Sequence, residues 1–342
     1  MKRIRATGVA LALLLLACLV SLSGCRAGTA SGESGLRVHF IDVGQADAIL
    51  IQSNGENMLI DAGNRADGDL MVAYLKRQGV DALKYVIATH PHEDHIGGMA
   101  AVLEAVPADT ILLSESDHPT NVFERLLDTI DEQGCRVIQA VVGNRYAIGG
   151  ASVTILSPNG AHETNVNNTS VGVRLVYGGT AFVMCGDAEK ESEADMAASG
   201  LTLTADVLKL GHHGSSTSTT DAFLEAVGPG YAVISCGAGN SYGHPHKEIL
   251  EKLARRQIPY FRTDKQGDVV AESDGTRITW NVEAISSPAQ AQSYVLNTNT
   301  MKFHKPSCGS VSRISPQHAE ETSAPRETLI AMGYSPCGSC KP

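Results

Sequence analysis

The chain has 342 residues, room for roughly two domains of about 150 residues each. Its 27 Lys and Arg against 37 Asp and Glu leave a formal net charge of −10, and 43% of the residues are hydrophobic against 19% charged. That mixture can bury a core, which excludes wholesale disorder and fibrous repeats. The acidic balance excludes a broad basic face for coating nucleic acid, although contact with phosphate through bound metal stays open.

Lys2, Arg3 and Arg5 precede an apolar stretch from Val9 to Val20, and Leu22-Ser23-Gly24-Cys25 comes at once after it. A basic start, a short apolar run and small residues read as a secretory signal, too short to span a hydrocarbon core about 30 Å thick. The ending resembles the bacterial lipobox, so that residues 1–25 read as a lipoprotein signal segment ending in the lipobox cysteine, and the resemblance makes Cys25 the lipidated first residue of the mature protein. The expected location is therefore the extracytoplasmic face of a bacterial cell membrane, held by that lipid. Residues 26–35 are small and polar and read as a flexible tether.

Order begins at Leu36. Residues 38–43 and 48–51 read as strands, Asn54-Gly55 as a hairpin turn, and 57–61 as the returning strand. A helix comes next over 69–78, closed by Gly79, and Tyr85 to Thr89 is a buried strand. Further on, 151–156, 171–177 and 180–185 read as strands, 188–199 as a helix, 207–210 and 231–235 as short buried strands, and 246–257 as a helix. Two last strands flank Asp274-Gly275. Hairpin-rich β segments with helices in both halves predict two packed sheets flanked by helices.

The chemistry concentrates at Thr89-His90-Pro91-His92-Glu93-Asp94-His95-Ile96-Gly97-Gly98. Three imidazoles and a carboxylate fall within six residues, directly after an apolar strand, where a loop can turn them inward. Imidazole and carboxylate suit zinc, manganese or iron. His90 and His92 can point to one side of an extended segment, and Asp94 and His95 can face a second metal nearby.

His-x-His-x-Asp-His is the signature of the metallo-β-lactamase superfamily, which this chain resembles. Phe40-Ile41-Asp42-Val43-Gly44-Gln45-Ala46-Asp47-Ala48, Gly186-Asp187, Leu208-Lys209-Leu210-Gly211-His212-His213-Gly214-Ser215 and Gly243-His244-Pro245 narrow the resemblance to the hydrolase domain attached to ComEC competence proteins. It implies an α/β fold, an αββα sandwich over residues 36–284, with two divalent ions at one edge. It also implies that Asp187 bridges the two ions, that His90, His92, Asp94 and His95 are ligands, and that one of His212 and His213 completes the second shell while the other orients substrate or donates a proton. His213 is the favoured ligand and His212 the alternate. Many superfamily members have a further histidine before the bridging Asp. Here only His118 and His162 are on offer, and Asn167-Asn168-Thr169-Ser170-Val171 stands in that place, as in ComEC-like domains. The His90/His92 metal then has fewer protein ligands, and manganese stands beside zinc as a candidate.

A bound ion lowers the pKa of its water from 15.7 to about 7 and so supplies hydroxide for attack on a phosphodiester. Asn168, Ser170, Ser215 and Ser216 are candidate donors to the phosphate oxygens, and His244 is a candidate acid for the leaving oxygen. Asp42 and Asp61 are expected to hold loops and histidines beneath the metals. Cys135, Cys185 and Cys236 lie in apolar surroundings and read as buried thiols.

Residues 285–292 read as a linker. The tail 293–342 carries His304-x3-Cys308 and Cys337-x2-Cys340, two short ligand pairs of the kind that a closed tetrahedral zinc site requires in so small a segment. A disulfide is the rival in an exported protein, but three cysteines cannot all pair, whereas His304 with three thiolates completes a shell. The tail resembles the small metal-binding module of the Ada DNA-repair protein, with His304 where that module has a cysteine, which argues against methyl-accepting chemistry. Lys302, Lys305, Arg313, Arg326 and Lys341 allow weak nucleic-acid contact. The expected function is a lipid-anchored, metal-dependent phosphodiesterase acting on DNA, with no obligate protein partner. The alternatives are hydrolysis of a lactone, β-lactam or phosphocholine ester, or surface DNA binding without catalysis.

Overall fold

The computed structural model describes residues 35–114, 119–160, 164–286, 293–322, 324 and 326–342. The leader with Cys25, most of the tether, His118, His162 and most of the linker lie outside the described residues.

In chain order the strands of the large domain are β1 (Leu36–Phe40), β2 (Ala48–Ser53), β3 (Glu56–Ala62), β4 (Leu83–Ala88), β5 (Ala108–Leu113), β6 (Arg136–Gln139), β7 (Arg145–Ile148), β8 (Ala151–Ser157), β9 (Gly172–Tyr177), β10 (Thr180–Met184), β11 (Val207–Lys209), β12 (Tyr231–Ile234), β13 (Tyr260–Arg262), β14 (Val269–Ser273) and β15 (Ile278–Trp280). They form an eight-stranded sheet in the order β15-β14-β1-β2-β3-β4-β5-β6 and a seven-stranded sheet in the order β13-β12-β11-β10-β9-β8-β7.

Alternation along the strands builds the layers. Ile49 and Ile51 of β2, with Phe40 of β1, face Phe182 and Met184 of β10 in the core between the sheets. Leu50, one residue out of phase, instead packs with Met71, Leu75 and Met99 on the outer face of the first sheet. Val183 does the same on the second, against Met196, Phe223 and Ile249. Side chains on a strand point alternately to its two faces, so strands apolar on both must be covered on both. The result is the expected αββα sandwich.

Each sheet has an antiparallel and a parallel part. β3 to β6 run parallel, as do β10 to β13. Helices Gly68–Arg77, Met99–Ala105 and Asn121–Gln133 make the crossovers of the first set, and Lys190–Ala198, Asp221–Val227 and Lys247–Arg255 those of the second. Parallel strands release their chains at the same end, so the loops after β3, β4, β10, β11 and β12 meet at one edge, where open α/β sheets bind ligands.

Asn54 and Gly55 adopt φ of 46° and 82°, the left-handed pair that a tight hairpin between β2 and β3 requires. The segment that forms β5, β6 and two helices is not foreseen from sequence, because β6 is a mostly exposed edge strand with a weak apolar signal. The last two strands return to the first sheet, with Leu36 opposite Ser273, a long-range pairing that no local pattern encodes.

Candidate metal centre

β4 ends at Ala88, and Thr89 anchors the loop beyond it. Its backbone N–H and its hydroxyl donate to the two carboxylate oxygens of Asp61, at 2.9 and 2.7 Å. The chain bends at His90 and Pro91, and from the extended His92 it enters a short helix, Glu93–Ile96. A side chain at Gly97 would meet the Arg65 backbone nitrogen at 2.3 Å, and one at Gly98 the Ala62 carbonyl oxygen at 2.2 Å. Two glycines are therefore what lets this turn sit against the end of β3.

The turn gathers the predicted ligands. His90 Nε2 and His92 Nδ1 approach to 3.0 Å, and His90 Nδ1 lies 3.2 Å from the hydroxyls of Thr89 and Ser170. One residue further in, Asp94, His95, Asp187 and His213 bring one ligand atom each to within 4.8 Å of one another. His95 Nε2 is 3.2 Å from Asp187 Oδ1, and His213 Nε2 is 3.3 Å from Asp94 Oδ2 and 3.6 Å from Asp187 Oδ1.

Charge is arranged for a cation at this spot. Burial works against the His95 imidazolium, but Asp187 and Asp61 outweigh it and hold the ring well above its ordinary value. Burial opposes the charge on His213 too, but Asp187 and Asp47 bring it up to about 10. Burial would raise the Asp187 carboxyl, yet His95 and His213 pull it well below the carboxylate range. His95 Nε2 and Asp187 Oδ1 nevertheless make no hydrogen bond although both are buried. Buried polar atoms normally find well-formed hydrogen bonds, so two imidazoles and two carboxylates that converge with facing atoms outside hydrogen-bond geometry fit a divalent metal such as zinc or manganese. The His90–His92 pair beside it brings only two nitrogens, as the Asn167-Asn168 substitution leads one to expect.

A second layer holds these side chains. Asp61 Oδ2 is 2.8 Å from His95 Nδ1, and His213 Nδ1 lies 3.1 Å from the Ser235 carbonyl, with Asp47 Oδ1 beside it at 3.3 Å. Asp47 is itself paired with the fully buried Lys209, whose fixed positive charge keeps that carboxylate ionised despite its burial. Asp61 therefore takes the expected supporting place, whereas Asp42 does not. Its carboxylate accepts from the Gly44 N–H and closes its own turn, and Asp47 holds the position under the histidines.

His212 and His213 both have φ near +50°, a strained left-handed conformation that non-glycine residues adopt where the surroundings impose it. The pair of twists throws the two rings apart. His213 enters the buried cluster. His212 faces the pocket, its Nε2 3.6 Å from Asp187 Oδ2 and its Nδ1 3.2 Å from Glu189 and 3.1 Å from Thr217 Oγ1. His244 also lines the pocket. Burial, with help from His212 and His213, lowers its ring to about 4, so at neutral pH it acts as an uncharged hydrogen-bonding ring and not as an imidazolium. Gln45 Oε1 accepts from the Gly237 N–H, which turns the amide nitrogen of Gln45 toward His244 Nδ1 at 3.3 Å. That bond leaves the proton of His244 on Nε2.

The expected phosphate donors are placed otherwise. Asn168 is buried, its amide nitrogen donating to Glu191 and its oxygen accepting from the Glu189 N–H. Ser170 is buried behind His90 and accepts from the Asp187 N–H. Ser215 bonds Thr217. Ser216 is exposed, and the contact it makes to His246 runs through its backbone N–H. None of the four lines the pocket. Gln45, Asn167, Glu93 and Tyr242 do; the first three lie in stretches that the sequence singled out, but none of the four was proposed as a site residue. Burial pushes the Cys236 thiol up to about 12 and raises Cys185 as well, so both are inert; Cys135 is only half-buried.

In the tail, strands β16 (Tyr294–Asn297), β17 (Lys302–His304), β18 (Ala319–Thr322) and β19 (Ser335–Pro336) form a separate sheet. His304, Cys308, Cys337 and Cys340 bring their ligand atoms to within 4.8 Å of one another, and the thiols are unpaired. Both ring nitrogens of His304 are buried without a hydrogen-bond partner. Burial and nearby Lys302 keep this ring neutral, and backbone N–H groups of Cys340 and Ser339 draw Cys337 down to about 7. One imidazole and three thiols in this state fit a structural zinc ion.

The family model described as the metallo-beta-lactamase superfamily matches residues 41–238. With the four-layer sandwich and the histidine–aspartate cluster at its edge, the chain belongs to that superfamily of hydrolase-fold proteins. Within it, the chain is similar to ComE operon protein 3 of Bacillus subtilis, 29% identical over 68% of this chain, and to recombination protein 2 of Haemophilus influenzae, 32% identical over 68%. Competence protein ComA of Neisseria gonorrhoeae is 31% identical over 66%. The matches span 32%, 28% and 30% of those relatives' lengths.

Proposed function

We propose that the protein is an exported, lipid-anchored, metal-dependent phosphodiesterase acting on DNA. The observation that carries the reading is the convergence of Asp94, His95, Asp187 and His213, three of which line an open pocket. Relatives named for competence and recombination favour nucleic acid as the substrate. The basic start, apolar run and Leu22-Ser23-Gly24-Cys25 favour export and anchoring at Cys25.

Bound at this cluster, divalent ions supply a hydroxide at neutral pH and neutralise charge on the phosphoryl group. The residues of the chain supply geometry. Asp61 and Asp47 present the Nε2 atoms of His95 and His213 inward, with Lys209 fixing Asp47. Ser170 and Thr89 orient His90. His244, with its proton on Nε2, donates a hydrogen bond to an oxygen of the bound diester, and His212, steadied by Glu189 and Thr217, faces the same space. In the tail, His304, Cys308, Cys337 and Cys340 hold zinc as a fold staple, and Lys302, Lys305, Arg313, Arg326 and Lys341 add weak DNA contact.

The test is the purified protein loaded in turn with manganese and zinc and offered DNA, a β-lactam, a lactone and a phosphocholine ester. Release of nucleotides, lost in Asp187→Ala, is the expected result. Turnover confined to another ester, or DNA retention unchanged in Asp187→Ala with no turnover at all, overturns it. Cys25→Ser should move the protein from the membrane to the soluble fraction.

A further inference from the structure

We propose that Tyr242 is the stacking platform for a nucleobase of the substrate, so that the pocket recognises a base as well as a phosphate. The inference rests on the phosphodiesterase reading above. Tyr242 is 67% exposed, more than any other large apolar side chain among the described residues. An isolated exposed aromatic ring is unremarkable on a floppy loop, but this loop is pinned on both sides of it. Asn240 accepts from the His244 N–H at 3.0 Å and donates to the carbonyls of Gly237 and His244. His246 Nδ1 accepts from the Ser216 N–H, which leaves its Nε2 to donate to the Tyr242 carbonyl at 3.2 Å. The backbone is fixed and the ring is left in water.

The ring is also aligned with the metal cluster. It stacks on His244 with centroids 5.6 Å apart and planes 24° apart, and His244 stacks on His213 at 6.3 Å and 26°. Three rings, each within 26° of the next, thus step from the rim to the side chain that faces Asp94 and Asp187. A base laid on Tyr242 continues the series and holds its own phosphate over the cluster.

Charge gives the platform its purpose. The residues that line the pocket include Glu93, Asp94 and Asp187 but no lysine or arginine, so away from the metal positions no lysine or arginine charge holds a phosphate there. Binding must draw on uncharged contacts, and base–aromatic stacking is one that every base can make. A base inside a duplex has both faces covered, so only an unstacked base can use the platform.

The test compares metal-loaded wild type, Tyr242→Ala, Tyr242→Leu and Tyr242→Phe on a thymidine oligonucleotide and on a strand of equal length in which every nucleotide is abasic. The second keeps each phosphodiester and lacks each base. Wild type and Tyr242→Phe should favour the thymidine strand in kcat/KM by about 10- to 100-fold. Tyr242→Ala and Tyr242→Leu should lose that preference, the fall in kcat/KM on the thymidine strand exceeding any fall on the abasic strand by about 10-fold or more. An unchanged preference in both variants, or an equal loss on both strands, overturns the platform. If wild type hydrolyses neither strand, the phosphodiesterase reading fails. The platform is then decided by fluorescence anisotropy with the same two strands, where equal affinity of wild type and Tyr242→Ala for the thymidine strand overturns it.

Discussion

The two ligand clusters of this protein sit in opposite surroundings. Around His95 and His213 the large domain provides Asp61, Asp47 and Lys209, and protons can stand in for a cation, since both rings are drawn above their ordinary value by the carboxylates that face them. Around His304 there is no such layer among the described residues. Its two nitrogens have no partner, and the buried core beside it consists of Tyr294, Leu296, Phe303 and Leu329. One site is a metal centre set into a fold that three apolar cores already sustain. In the other, metal bonds must supply stability that so small a core does not.

The comparison can be broken by removing ligands. Asp94→Ala should lower DNA turnover by roughly 10³-fold or more, with circular dichroism and the main thermal transition nearly unchanged; a collapsed fold would show that the large domain also depends on its metal. Cys337→Ser should do the reverse and unfold the tail, because zinc contributes on the order of 10 kcal/mol in small modules of this kind. Limited proteolysis should then release fragments of residues 293–342 while the sandwich persists.

The second layer sharpens the contrast. Asp61→Asn should weaken metal binding about 10- to 100-fold, as loss of a carboxylate behind a metal-binding histidine does, measured by competition with a chelator. Proton occupancy yields a pH signature. In the metal-free protein the folded-state value of His213 is about 10, above the unfolded value near 6.5. The stability from this proton is fully present below about pH 6.5 and is lost as pH rises towards 10. In the loaded protein metal displaces the same protons, so metal affinity rises over that window. Melting temperatures of the chelator-treated and metal-loaded protein should therefore draw apart as pH increases, and parallel curves would contradict the assignment. The smallest effect belongs to Ser216→Ala. Because Ser216 acts through its backbone, stability should move by less than about 0.5 kcal/mol and kcat/KM should not change.

Much of the architecture is legible in the chain itself. Continuous apolar runs at 48–51 and 181–185 foretell strands covered on both faces, and the density of histidine and aspartate at 90–95 foretells where the ligands gather. The pairing of β14 with β1 is not legible, nor is the edge strand β6, since one depends on residues over 200 positions apart and the other has little apolar signal to read.

The side chains show the same division. Residue type and spacing determined the candidate ligands at 90–95 and the staple of one histidine and three cysteines, because coordination chemistry admits few donors and short spacings bring them together; Asp187 and His213 came from the resemblance to the metallo-β-lactamase superfamily. Only the tertiary structure put His213 in the buried cluster and His212 on the pocket wall, moved the supporting role from Asp42 to Asp47 with Lys209 beneath it, and turned Asn168 and Ser170 away from the pocket while leaving Asn167 and Tyr242 in it. Neighbouring polar residues look alike in sequence; backbone twist and the partners that satisfy each buried group determine which of them faces the substrate.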